Sequence, residues 1–362
     1  MSSADTATDT VPTDRVMLAV ESSCDETAAA VVQGRRVLSS VVATQIGLHD
    51  RFGGVVPEIA SRHHLECVDT VIADALIDAG RHPDDPHIDA IAVTCGPGLI
   101  GALLVGIAAA SARAWSWNVP LLGVDHLMGH IASILLEDPA LEPPMLTLLV
   151  SGGHTMLVDV DAAWNVRLLG TTRDDAAGEA FDKAARLLGL GSPGGPRVSA
   201  LAATGNPHAH PMTPAMVHHD SLDTSFAGLK TALALAVQAD AGTPADLAAG
   251  FEHAAVATLA AMVRKGLRRH GPGSADNRRV LSVVGGVAAN TQLRAELETI
   301  CREADVRMVC APLQYCGDNA AMIGVAAGLD ASIAPIEPAC ISAFASSPLF
   351  RREHLMPTGV NR

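Results

Sequence analysis

Aromatic residues are scarce in this chain: six Phe, three Trp and one Tyr among 362 residues, 3% in all. A core with few rings must be filled by Ala, Val, Leu and Ile, which suits parallel strands buried under Ala-rich helices. No C-x-x-C occurs, and the seven cysteines, at positions 24, 67, 95, 301, 310, 316 and 340, are odd in number and scattered. That pattern argues against a disulfide framework or a cysteine-based zinc site, and makes a reducing cytoplasm the expected compartment. Long apolar runs are missing too. The longest, Leu99 to Ala110, is broken by Gly101 and Gly106 and falls short of the ~20 residues that span a bilayer, so no membrane association is expected. The opening MSSADTATDTVPTDR has neither a basic nor an apolar stretch; residues 1–15 read as a disordered polar tail and not as a secretory leader. Positive charge is also short, with 25 Lys and Arg against 39 Asp and Glu, a formal net charge of −14. Bulk charge therefore does not draw this chain to nucleic acid. Such a partner needs a local basic patch or a second protein.

What is present is hydrophobic content: 49% of the residues, ample for a sizeable core and incompatible with general disorder. The length suggests two domains, with three as the alternative. Arg15–Val20 runs into ESSCDET, Met145–Val150 into SGGHT, and Val280–Val284 into GGVAAN. The first two continue into second apolar runs, Ala28–Val32 and Met156–Val160. A strand, tight turn and returning strand thus occur twice, which suggests two related lobes. A further strand, Ile88–Val93, precedes CGPGLIG and a helical pattern reaching Ala114. Helical spacing marks Pro57–Ala79, Asp175–Leu188, Pro244–Leu267 and Asn319–Leu329, while Gly191–Arg197 and Asn206–Thr224 read as loops. The mixture indicates an α/β fold.

Several motifs could carry chemistry, and each has a plain alternative. GPGLIG (Gly96 to Gly101) offers backbone amides at a helix start to an anionic group, or simply lets a helix pack closely on a strand. HLMGH places His126 and His130 on one helical face, near enough to share a metal, though such pairs are more often ordinary histidines. Leu127 stands where a metalloprotease carries its glutamate, so that chemistry is absent. Asp318 is a candidate third ligand, or the N-cap of the following helix. SGGHT and GGVAAN put glycines at the ends of buried strands, where α/β sheets bind ligands. DDAAGEAFDK aligns Glu179 and Asp182 on one helical face, PGGP (Pro193 to Pro196) is a stiff turn, and ESSCDET packs Glu21, Asp25 and Glu26 around a strand end. Cys24 has no base beside it in sequence and is not read as a nucleophile.

Taken together, these segments closely resemble the tRNA adenosine threonylcarbamoyltransferase (TsaD) family. The resemblance runs from about Met17 to Ile323 through ESSCDET, FGGVVPEIASR, GPGLIGALLVG, the two-histidine motif, LLVSGGHT, DDAAGEAFDK, PGGP, SFAGLKT, GGVAAN and YCGDNAAMI. It implies the two-lobed actin, hexokinase and Hsp70-ATPase fold. The expected N-terminal lobe is 16–124, with a C-terminal helical segment near 325–347 packing back on it. The expected C-terminal lobe, 125–324, carries the metal and adenylate site. The implied reaction moves threonylcarbamoyl from threonylcarbamoyl-AMP to the exocyclic amine of the adenosine beside the anticodon, in tRNAs reading A-starting codons. The resemblance assigns one divalent metal to His126, His130 and Asp318: iron, with zinc as the alternative, and magnesium accompanying the nucleotide. It assigns the adenylate to Leu149, Val150, Ser151, Gly152, Gly153, Asp182, Gly195 and Asn290. Asp25 and Glu26 are candidates for essential polar roles at the first phosphate-loop position. The implied partners are tRNA, a related non-catalytic subunit (TsaB-like) and a small ATPase (TsaE-like), in the cytoplasm.

The chain departs from the family pattern at Met128, where Glu is common, and at Gly317, Ala320, Ala227 and Asp125; Ser199 replaces an Asp found near the ribose in some members. All three proposed metal ligands are retained. The competing readings are a paralogous carbamoyltransferase with a small-molecule acceptor, a sugar or acetate kinase, a nucleotide-binding scaffold and, last, a peptidase.

Overall fold

The computed structural model describes residues 15–49, 52, 54–329 and 335–350. The expected tail falls on residues outside that set, apart from Arg15. The first lobe runs β1 (Val16–Glu21), β2 (Glu26–Gln33), β3 (Arg36–Thr44), α1 (Ile46–His49), α2 (Pro57–Asp78), β4 (Ala90–Gly96), α3 (Ile100–Trp117) and β5 (Leu121–Asp125). The helix α4 (His126–Ala132) then leads to the second lobe: β6 (Met145–Val150), β7 (Thr155–Val160), β8 (Val166–Thr171), α5 (Ala177–Leu187), α6 (Gly194–Ala202), α7 (Ala227–Gln238), α8 (Pro244–His270), β9 (Val280–Val284), α9 (Thr291–Glu303) and β10 (Arg307–Cys310). The helix α10 (Ala320–Leu329) returns to the first lobe.

The duplication expected from the strand–turn–strand units is present in full. One sheet is ordered β3-β2-β1-β4-β5 and the other β8-β7-β6-β9-β10, position for position. In each, the first three strands are antiparallel and the last two run parallel to the first strand. β1 is buried along its whole length because both faces of its sheet are covered. Leu18, Val20, Val31, Ile91 and Val93 face a core shared with α2 and α3. Met17, Ala19, Ala28, Ala30 and Ala92 face a second core that continues through α4 and α10 into the other lobe. Alanine on that face admits close packing: a Cβ on Gly324 of α10 would stand 2.6 Å from Val32 Cγ2.

Helix ends follow the local sequence. Pro57 and Pro244 occupy first-turn positions, Thr243 accepts from the Asp246 amide, and Arg268, Arg269 and His270 close α8 at its negative pole. α3 and α8 are long and apolar enough to cross a membrane by length and composition alone, but α8 is mostly buried in the core. α3 leaves Ile100, Leu104 and Trp115 exposed.

Three expectations need correction. The Gly191–Arg197 loop is shorter than read, because Gly194 already starts α6. The Asn319–Leu329 helix begins at Ala320 and is capped by Asn319, whose Oδ1 accepts from Met322 N at 3.0 Å; Asp318 is therefore not the cap. Finally, α10 ends at Leu329, and residues 335–350 are irregular instead of helical. They reach the first lobe nonetheless: Ile336 pairs with Leu121, and Phe344 N donates to Cys95 O at 2.9 Å. Parallel-strand ends leave carbonyls and amides for such a segment to pair with.

Candidate active site

The ends of three neighbouring strands come together at the cleft. Because β1, β4 and β5 run parallel side by side, Glu21 at the end of β1, Thr94 near the end of β4 and His126 just after β5 lie next to one another. Glu21 is fully buried; its Oε2 accepts from Thr94 Oγ1 at 2.6 Å and lies 2.9 Å from His126 Nδ1, while Oε1 accepts from the Ser23 amide. Asp125 caps α4 by accepting from Leu127 N at 2.8 Å, and Ser347 Oγ donates to its other oxygen.

Within α4 the four-residue spacing places His126 and His130 on one face, ring centroids 4.7 Å apart and nearly perpendicular. Asp318, just ahead of α10, brings Oδ1 to 3.5 Å from His126 Nε2 and 3.2 Å from His130 Nε2. One donor atom from each of the three residues lies within 4.8 Å of the others. His130 has no solvent exposure, and neither of its ring nitrogens has a hydrogen-bond partner among the described residues; the Asp318 contact is out of line for one. Buried polar atoms are ordinarily paired, and an orphaned imidazole facing a carboxylate and a second imidazole is suited to a metal ion. The residues fit the group that the sequence implies.

The electrostatics follow from this crowding. Burial alone would push His126 down, but the Glu21 and Asp318 carboxylates overcome it and push it up to about 9. Burial would likewise raise Asp318, yet His126 and His130 hold it far below the usual carboxylate range. Burial, then Asp25 and Asp318, push Glu26 up to about 10. Burial and the neighbouring His126 and His130 push His154 down to about 4. Burial and the adjacent Asp25 push the Cys24 thiol up, the opposite of an activated nucleophile.

A cavity of about 1030 Å³ opens beside the three donors. Asp25, His126, Ser151, Gly152, Gly153, Asp182 and Asp318 line it. Ser151–Gly153 form the β6–β7 hairpin turn, closed by Ser151 N donating to His154 O at 2.8 Å, and a Cβ on Gly152 or Gly153 would meet nothing within 4 Å. That leaves open backbone at the end of a buried strand. Leu149 and Val150 are core residues of β6 that set the position of this turn. Asp182 accepts from Gly194 N at 2.8 Å, tying the PGGP turn to α5.

Other residues singled out from the sequence sit elsewhere. Glu26 accepts from Thr44 Oγ1 at 3.4 Å on the adjacent strand and is off the cavity wall. Gly195 lies one residue past the wall, inside α6. Asn290 is also off it: its Oδ1 caps α9 at Leu293 N, 2.7 Å, and its Nδ2 donates to Glu252 at 2.6 Å and Ser199 at 3.1 Å. Gly285 in the same motif serves packing, with φ +91° and a position 2.4 Å from the Val150 carbonyl oxygen for any Cβ. Met128 faces a different cavity, with Cys95, Gly123 and Trp164, away from the three donors. The structure adds Ser23, His154, Lys183 and Arg186 to the wall. His154 was inside a motif already singled out; the two cations carried no sequence signal beyond a charged helix face.

A family model described as TsaD, tRNA N6-adenosine threonylcarbamoyltransferase, matches residues 36–325. Curated proteins of that name are similar along most of the chain. The one from Moorella thermoacetica is 48% identical over 344 residues, covering 93% of this chain and 98% of its own length. The one from Clostridioides difficile is 46% identical over 319 residues, covering 86% and 92%. Among solved structures, T. kodakarensis HypF superposes with a TM-score of 0.58 at 16% identity, covering 88% of this chain and 48% of that one. Component A of the Acidaminococcus fermentans (R)-2-hydroxyglutaryl-CoA dehydratase gives 0.51 at 13% identity, covering 87% and 96%. These last two carry the fold alone.

Proposed function

The chain belongs to the tRNA N6-adenosine threonylcarbamoyltransferase family, and from that premise we propose that it transfers threonylcarbamoyl from threonylcarbamoyl-AMP to the exocyclic amine of the adenosine beside the anticodon, in tRNAs reading A-starting codons. The observation that carries the reading to this site is the open Ser151–Gly153 turn on one cavity wall with His126 and Asp318, behind which the buried His130 completes the donor set. The donor is a mixed anhydride. The amine nitrogen attacks the carbamoyl carbon, the bond from that carbon to the phosphate oxygen breaks, AMP leaves with the electron pair, and the proton shed by the amine passes to solvent. The protein's work is then to hold two reactants in register and to stabilise charge on the departing phosphate.

In this reading the Ser151–Gly153 backbone faces the phosphate, and the Asp182–Gly194 contact holds the turn over the nucleoside. Lys183 and Arg186 lend positive charge to a wall otherwise rich in carboxylates. Asp25 contributes a polar role at the first loop. His126, His130 and Asp318 would hold one divalent ion, iron or zinc, whose chemistry when bound is Lewis acidity toward oxygen. Asn290, with Ser199 and Glu252, forms a polar cluster off the cavity wall and is assigned to the nucleoside end of the adenylate. The partners of this acidic chain are a related non-catalytic subunit and a small ATPase, and its compartment is the cytoplasm.

The test is a transfer assay with the chain, its host's partner subunits, threonylcarbamoyl-AMP and an unmodified tRNA that reads an A-starting codon. The tRNA is digested and its nucleosides are weighed by mass spectrometry. A threonylcarbamoyl mass on the anticodon-loop adenosine supports the reading. Adenylate binding without transfer overturns it in favour of a small-molecule acceptor.

A further inference from the structure

We propose that Glu21 is a positioning residue for the ion: its carboxylate accepts a hydrogen bond from the N–H of His126 Nδ1, which leaves the Nε2 lone pair of His126 to face Asp318 and His130 when the ion binds. The inference rests on the metal reading above. Glu21 sits at the end of β1, 105 residues before His126, and is fully buried. A buried carboxylate is costly unless each oxygen is satisfied. Here Oε1 accepts from the Ser23 amide, and Oε2 faces Thr94 Oγ1 at 2.6 Å and His126 Nδ1 at 2.9 Å.

The carboxylate sets the donor roles: ionised, it only accepts, so the Nδ1 opposite it carries the hydrogen, and Ser23 Oγ, 3.2 Å from the same nitrogen, is left to accept. The ring's other nitrogen is then the one left to bind, and it is the one that lies 3.5 Å from Asp318. Thr94 donates to the same oxygen and fixes the carboxylate's rotation. Because the Ser23 amide shares this carboxylate, Glu21 also ties the loop that ends in Asp25 to the first turn of α4. Among the described residues His130 has no such partner on Nδ1. The two imidazoles are thus unequal: His126 is oriented from behind by a carboxylate, whereas His130 meets a carboxylate only on its Nε2 side, at Asp318.

The full chain, stripped of metal, is titrated with Zn(II) against a competing chelator and with Co(II) followed by its visible absorption. The chains compared are wild type, Glu21→Gln and Thr94→Val. A glutamine amide can present either end to Nδ1, so the expected loss in Glu21→Gln is about 10- to 100-fold in affinity, with a changed Co(II) band. Thr94→Val, which leaves the charge in place, is expected to lose less than Glu21→Gln. Nitrogen-15 shifts of His126 in the zinc-loaded wild type are expected to show the hydrogen on Nδ1. Wild-type affinity and an unchanged Co(II) band in Glu21→Gln would overturn the proposal, as would a His126 that carries its hydrogen on Nε2. If Glu21→Gln does not fold, Thr94→Val and the histidine shifts decide. A wild-type chain that takes up no ion defeats the metal reading itself; a Glu21→Gln chain that binds as wild type defeats only this inference.

Discussion

His126 and His130 stand one helical turn apart with ring centroids 4.7 Å from each other, yet among the described residues only His126 has a hydrogen-bond partner on its Nδ1. Both point Nε2 at the same Asp318 oxygen. An ion bound to the folded chain and not to the unfolded one should therefore stabilise it. At a hundredfold excess over its dissociation constant the gain is about 2.7 kcal/mol. Zn(II) is expected to raise the melting temperature of the wild-type chain, while the His126→Ala, His130→Ala double variant shows no rise and no bound metal after desalting. Full metal stoichiometry in the double variant would exclude these ligands.

Asp318 and Asn319 are neighbours with different duties, and they are separable. Asn319→Ala removes the cap on α10 and should cost about 1 kcal/mol of stability, with metal uptake retained. Asp318→Asn keeps that cap and should abolish tight metal uptake, with little loss of helix content by circular dichroism. The reverse pattern would mean that Asp318 serves the helix.

Away from the cleft, Asp159 offers a test in acid. Burial raises its carboxyl, but hydrogen bonds from Arg278, with Nε at 2.6 Å, and from Arg167 outweigh burial and hold it below its ordinary value. A carboxyl lowered in the folded state adds stability above the unfolded value of about 3.9 and loses it as pH falls through the folded value. Asp159→Asn should cost roughly 3 kcal/mol near pH 7 in urea unfolding. The gap from wild type should stay flat between pH 6 and 8 and close below about pH 4. A gap that widens in acid would contradict the assignment.

Gly324→Ala tests the packing of α10 on the first sheet. An alanine gains up to about 1 kcal/mol of helix propensity. Its Cβ, however, would stand 2.6 Å from Val32 Cγ2 and 3.2 Å from the Cβ of Ala19. Overpacking of this kind costs about 1–3 kcal/mol. The variant is expected to be less stable than wild type by urea titration, and a more stable one would show that the sheet yields.

Much of this was readable in advance because the signals were local. The strand–turn–strand units at ESSCDET and SGGHT announced themselves by uninterrupted apolar runs, and the α4 histidines by their spacing. β3 was harder, since it is an edge strand whose side chains are mostly half-buried or exposed, and β10 has only four residues. The start of α6 inside PGGP was hidden by glycine and proline, which ordinarily mark loops. Glu21 could be seen as one acid among three, but nothing local separates it from Asp25 and Glu26. Its role depends on the order β1-β4-β5, which brings Thr94 and His126 beside it from far along the chain. Asn290 shows the converse: the motif was visible, while its engagement with Glu252 on α8 was not.

The matched strand orders have a consequence for where the donor set belongs. α4 leaves the fifth strand of one repeat and α10 follows the fifth strand of the other, and the two helices touch where Gly129 meets Met322 and Ile323. His126 and His130 travel with the first repeat and Asp318 with the second. The ion-binding set is therefore a property of the seam, divided two to one between the segments that follow the two fifth strands. Neither repeat alone owns more than a fraction of the ligands.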